Sequence, residues 1–164
     1  MAGLPASGKS ALADALGRAL PAPVLSVDPV EAAMWRAGID RAQPTGLAAY
    51  VVVEAVAGAV LGLGQHAIVD AVNDVEPARR QWRDLAAAHG TTQRIVEVVC
   101  SDPQLHRSRL ESRRRDLPDG FEPTWEQVRR RRDGYRAWTE DRLVVDSVND
   151  LDGNVQAALE YLAG

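Results

Sequence analysis

Gly3-Leu4-Pro5-Ala6-Ser7-Gly8-Lys9-Ser10 has the form G-x-x-x-x-G-K-S. Each residue type in it answers a need of polyphosphate binding. Glycines let backbone N–H groups approach the phosphates, a lysine adds a mobile positive charge for the β and γ groups, and a serine hydroxyl can ligate Mg²⁺. Leu12, Ala15, Leu16, Ala19 and Leu20 recur at helical spacing, so the loop opens a helix whose positive end points at the anion. The expected nucleotide contacts are Gly3, Ala6, Ser7, Gly8, Lys9, Ser10 and Ala11. Lys9 is the only lysine of the chain, against eighteen arginines. It stands where the chemistry wants one.

The other strands and helices follow outward from this loop. A phosphate loop is normally entered from a buried apolar strand of about five or six residues, yet only Met1 and Ala2 precede Gly3. Most of the first strand is therefore expected to be missing from this sequence, either because its start is placed too late or because the sheet has a gap that something else fills; a gap would leave its neighbours with unpaired backbone groups. Beyond the first helix, residues 24–28 read as a short strand ending in Asp28, and Pro29 opens a helix to about Ala37. A long apolar helix is expected over 47–63, a strand over 67–70 ending in Asp70, and a helix from Pro77 to before Gly90. Residues 92–100 form the longest strand candidate, with Cys100 at its buried end. Helices are expected over 103–115 and 125–138, a strand over 143–146 and a last helix through Leu151, Val155, Leu159 and Leu162. Short apolar strands alternating with helices predict an α/β fold whose parallel sheet is covered on both faces.

With 164 residues, 46% of them hydrophobic, the chain reads as one domain over 1–164. No run of 18 apolar residues and no secretory pattern is present, so a cytoplasmic protein without a membrane partner is expected. One cysteine cannot form an internal disulfide. The net charge of −4 argues against a nucleic-acid partner, although residues 103–136 hold ten arginines against six acids. A local positive field within an acidic protein suits a small anionic ligand.

Ligands of such sheets bind at strand C-terminal ends, where Gly3, Asp28 and Asp70 would meet. Asp28 is the candidate general base for an acceptor hydroxyl; a plain helix cap is the competing reading. Asp70 would help Ser10 hold Mg²⁺ or orient substrate. Arg109 and Arg113, four apart on one helix face, could neutralise charge on a transferring phosphoryl group. Among the tryptophans at 35, 82, 125 and 138, only Trp35 is expected beside the substrate.

Assembled, these residues resemble the P-loop kinase group of polynucleotide 5′-kinase domains, chloramphenicol phosphotransferase-like enzymes, gluconate kinases and zeta toxins, and most of all the small kinases called AAA domain. The resemblance rests on residues 3–10, on Asp28, on Ile68-Val69-Asp70-Ala71-Val72-Asn73 in place of V-D-A-T-N, and on Arg109 and Arg113. It implies a three-layer P-loop NTPase fold, here lacking most of the first strand, with a lid over about 107–125. It also implies ATP and Mg²⁺ as cofactors, Lys9, Asp28, Arg109 and Arg113 as catalytic residues, and Asp70 and Asn73 on the substrate or metal side. Polynucleotide kinases carry an arginine three residues after the base, where this chain has Glu31. Val72 replaces the usual threonine. The expected activity is transfer of the γ-phosphoryl group of ATP to a hydroxyl of a neutral or cationic small molecule. Alternatives are an ATP-hydrolysing regulator without an acceptor and a nucleic-acid end kinase.

Overall fold

A computed structural model describes residues 1–113 and 122–164. In these, four short parallel strands alternate with seven helices. They are α1 (Lys9–Ala19), β1 (Val24–Ser26), α2 (Val27–Arg36), α3 (Thr45–Gly62), β2 (Ile68–Asp70), α4 (Glu76–Ala88), β3 (Val96–Val99), α5 (Pro103–Ser112), α6 (Trp125–Asp133), β4 (Leu143–Asp146) and α7 (Leu151–Ala163). β1 pairs with β2, setting Ser26 opposite Asp70, and β3 pairs with β4, setting Val99 opposite Asp146.

The first three residues join these two pairs. The Met1 amine donates to the Val69 carbonyl at 2.6 Å, and Gly3 N–H donates to Val72 O at 3.3 Å. On the other side Ala2 N–H donates to Val96 O at 2.9 Å and Ala2 O accepts from Val98 N–H at 2.8 Å. Met1 to Gly3 thus stand as a stub of central strand between β2 and β3. The stub pairs on both edges at the end that carries the phosphate loop. Towards the other end lies a cavity of about 540 Å³ whose lining includes Met1, Leu16, Ile68, Ile95, Val96 and Leu162. The Met1 amine is buried beside it, and that burial lowers its pKa to about 6.

Two cores flank the sheet. Leu12 and Leu16 of α1 and Ala158 of α7 pack on Val96, Val98 and Val145. On the opposite face Ala49 and Val53 of α3 pack with Val27, Ala71 and Trp82. By length and composition α3 is apolar enough to cross a membrane. Here it packs through Thr45, Ala49, Val53 and Ala57 and leaves Leu47, Val51, Val52 and Val56 exposed.

Several boundaries differ from expectation. The strand foreseen over 92–100 is only Val96–Val99, because its partner β4 offers four residues and the central stub fewer still. Cys100 lies beyond the strand, half-buried, with Sγ 3.5 Å from Asp102 O. Helix α6 stops at Gly134 rather than reaching Trp138. Helix α2 begins at Val27, so Asp28 sits in its first turn instead of ending a strand. Helix α5 ends at Ser112. Arg114, Arg115 and the loop 116–120 of the expected lid fall outside the described residues.

Candidate functional site

The phosphate loop is shaped by close backbone approaches. Gly3 has φ 144°, and a Cβ there would stand 2.4 Å from Val98 O. Gly8 has φ 99°, and its Cβ would stand 2.9 Å from Ser147 Cβ in the loop after β4. Both positions therefore demand glycine. Ala6 also takes a left-handed turn, with φ 62°. Gly8 is the N-cap of α1 and offers no side-chain cap to its first amides. Those amides need an acceptor, and an anion supplies it.

Around the loop the expected charged groups converge. Ser10 Oγ donates to Asp70 Oδ2 at 2.6 Å, and Ser26 Oγ donates to the same oxygen at 3.3 Å. Lys9 Nζ lies 3.9 Å from Asp70 Oδ1, with 4% and 3% of the two side chains exposed. That distance is an ion pair without a hydrogen bond, so among the described residues Asp70 Oδ1 and Ser7 Oγ are buried without a hydrogen-bond partner. Unpaired buried oxygens are costly. A hydroxyl and a carboxylate in contact at the start of α1 are a donor set for a hard cation, which prefers oxygen ligands. The cradle glycines, the uncapped helix and these oxygens together fit a Mg²⁺–nucleotide.

Asp28 and Trp35 lie one heptad apart on α2, partly exposed. The Trp35 indole donates to Thr45 Oγ1 at 2.9 Å, and Thr45 donates to Glu31 Oε1 at 2.8 Å. This chain of bonds braces α2 against the start of α3. Arg41 stacks on Trp35 at 4.3 Å. Nearby, burial raises the Tyr50 pKa to about 12, with Asp74 and Asp28 adding to the rise. Its hydroxyl thus stays protonated and within electrostatic reach of both carboxylates.

Other expected residues are placed differently. Asn73, 4% exposed, is turned inward. Its Nδ2 donates to Met1 O at 3.1 Å and its Oδ1 accepts from the Trp82 indole at 2.9 Å, so it underpins the floor of the site. Arg109 donates to Ser147 Oγ at 2.7 Å and to Ser147 O at 2.9 Å. Arg113 is the C-cap of α5 and pairs with Glu122 at 3.4 Å. Three residues escaped the sequence reading. Ser147 directly follows a strand end, which is a signal that could have found it. Ser26 precedes Asp28 in the same way. His106 carries no local signal, since its partner Pro5 lies 101 residues away.

Comparison with known proteins gives the family and the fold. The AAA domain family matches residues 1–138. No curated protein matches the chain. Among solved structures, a proposed kinase from Chloroflexus aurantiacus J-10-fl aligns with TM-score 0.75 at 23% identity, covering 97% of this chain and 91% of its own. The APS kinase of Mycobacterium tuberculosis in complex with AMPPNP and APS aligns with TM-score 0.73 at 19% identity, covering 99% and 95%. Kti12 of Chaetomium thermophilum in complex with ADP-AlF3 aligns with TM-score 0.71 at 20% identity, covering 99% and 97%. At these identities the likeness is one of fold, the P-loop kinase-like α/β fold.

Proposed function

The chain belongs to the AAA domain family, and from that premise we propose that it is an ATP-dependent kinase acting on a hydroxyl of a small molecule. The observation that carries this reading is the contact of Ser10 with Asp70 at 2.6 Å beside Lys9. In it, the loop amides and Lys9 bind the polyphosphate, and Ser10 and Asp70 hold Mg²⁺. The bound metal supplies charge neutralisation on the phosphates. Asp28 accepts the proton of the acceptor hydroxyl while its oxygen bonds to the γ-phosphorus and the bond to ADP breaks. Trp35 and Tyr50 border the acceptor. Arg109 of α5 and Arg113 at its C-cap neutralise charge on the transferring group.

Acidic groups favour a neutral or cationic acceptor. Glu31 follows Asp28 by one helical turn and is held in place by Thr45, where an acceptor bearing a phosphate would meet repulsion. The same residue and the net charge of −4 weigh against a nucleic-acid end. A regulator that turns over nucleotide without an acceptor is the second reading, and the engagement of Arg109 by Ser147 favours it. Acceptor-dependent ADP release across a panel of neutral, amino and phosphorylated alcohols separates the readings. Stimulation by neutral or amino alcohols supports the kinase, and slow release that no alcohol stimulates supports the regulator.

A further inference from the structure

His106 sits in the middle of α5 with 1% of its surface exposed, and both ring nitrogens are engaged. Nε2 is 2.7 Å from the carbonyl oxygen of Pro5, inside the phosphate loop, and Nδ1 is 3.1 Å from Arg132 Nη2 on α6. A guanidinium only donates and a carbonyl only accepts. The proton of a neutral imidazole therefore sits on Nε2, donated to Pro5, and Nδ1 accepts from Arg132. One tautomer satisfies both contacts.

The surroundings hold the ring in this state. Trp125 of α6 meets it edge-on at 5.3 Å and 79°, and the Arg132 guanidinium lies 5.4 Å over that same indole. The charged groups that act on the ring are Arg132 and Arg109, both cations. Burial, the largest cause, together with these cations lowers the pKa of His106 against the Pro5 hydrogen bond, which raises it, so the net balance disfavours an imidazolium. The bonded carbonyl belongs to the peptide that leads into Ala6, the non-glycine residue held at φ 62°. A peptide plane fixed by a buried donor beside a left-handed turn is a plane whose tilt sets where the following amides point.

We propose that His106 is a positioning residue that holds the Pro5–Ala6 peptide in its phosphate-binding orientation and makes that orientation depend on the docking of α6. The α5–α6 pair thereby reports to the cradle through this ring. Arg109, one turn further along α5, reaches the cradle's other side through Ser147, whose Cβ borders Gly8. This inference rests on the nucleotide-binding reading of the loop.

The test is calorimetric titration of the full chain with Mg²⁺ and a non-hydrolysable ATP analogue, with melting temperature measured separately. His106→Gln places an amide N–H near the position of Nε2 and keeps a donor for Pro5. His106→Asn places its polar group near Nδ1 and loses that donor. The expected result is affinity within about threefold of wild type for Gln and a loss on the order of tenfold for Asn, the scale of one buried hydrogen bond. Arg132→Ala, which frees the ring without touching the loop, is expected to weaken binding severalfold. A folded His106→Asn chain that binds as wild type does, or equal losses in the Gln and Asn variants, overturns the proposal. Should the Asn variant not fold, unchanged affinity in Arg132→Ala overturns it instead. Wild-type protein that binds no analogue overturns the nucleotide reading itself, a result distinct from variants that match a binding wild type.

Discussion

Lys9 and Asp70 face each other at 3.9 Å with 4% and 3% of their side chains exposed, so neither can be removed without stranding a buried charge. Lys9→Met is therefore expected to abolish nucleotide binding and also to destabilise the fold by about 3 kcal/mol. Adding Asp70→Asn should recover most of the melting temperature but none of the binding. Recovery of both would mean that Lys9 serves only to neutralise Asp70. Asp28→Asn should lower acceptor phosphorylation by a factor on the order of 10²–10⁴ while leaving analogue affinity within about twofold. Equal loss of both would make Asp28 a structural residue of the first turn of α2. Lys9, Ser10 and Asp70 were legible in the sequence because each carries a local signal, a motif position or a strand end. The turn position of Asp28 was not, since β1 stops at Ser26, two residues before the carboxylate. His106 acts across a chain separation that no local pattern encodes.

The central stub is the element on which the sheet turns. Met1 to Gly3 pair with both β2 and β3, and the amine that begins the stub is buried, with its pKa lowered from 8.0 to about 6. An amine with a lowered pKa binds fewer protons when folded than when unfolded. Its contribution to stability is thus fully present above pH 8 and is lost as pH falls towards 6. The expected change is up to about 3 kcal/mol, read as a melting temperature that rises between pH 6 and pH 8. His106, also lowered by burial, enters only below its ordinary 6.5. Joining a five-residue apolar strand ahead of Met1 converts the amine to an amide and fills the cavity of about 540 Å³. That chain should melt higher and lose the dependence between pH 6.5 and 8; an unchanged melting temperature would show that added strand does not enter the slot. Elements with complete local signals, such as β4 and α7, were read to within a residue. β3 was read too long because strand length is set by partners, and Thr92 to Arg94 have none in β4.

At the scale of the whole molecule, the fold brings the phosphate loop, Asp70 and the start of α2 to one end of the sheet and leaves the cavity towards the other. The fold class was legible because alternation of strands and helices leaves few topologies. The acceptor was not, because α2 and α3 meet through Trp35, Thr45 and Glu31, contacts that depend on their packing. The acidic balance predicts that affinity for oligonucleotides is weak and does not tighten as salt is lowered through the steep dependence typical of phosphate contacts. A steep slope would restore the nucleic-acid reading. The central claim is that the loop at residues 3–10 is a working Mg²⁺–nucleotide site. Thermal unfolding with Mg²⁺ and a non-hydrolysable ATP analogue at about 100 times its dissociation constant tests it most directly. Linkage predicts about 2.7 kcal/mol of stabilisation, or roughly 5–10 °C for a chain of this size. The shift should require Mg²⁺ for its full extent and should vanish in the Lys9→Met, Asp70→Asn double variant. No shift in the wild type, or an equal shift in the double variant, would contradict it.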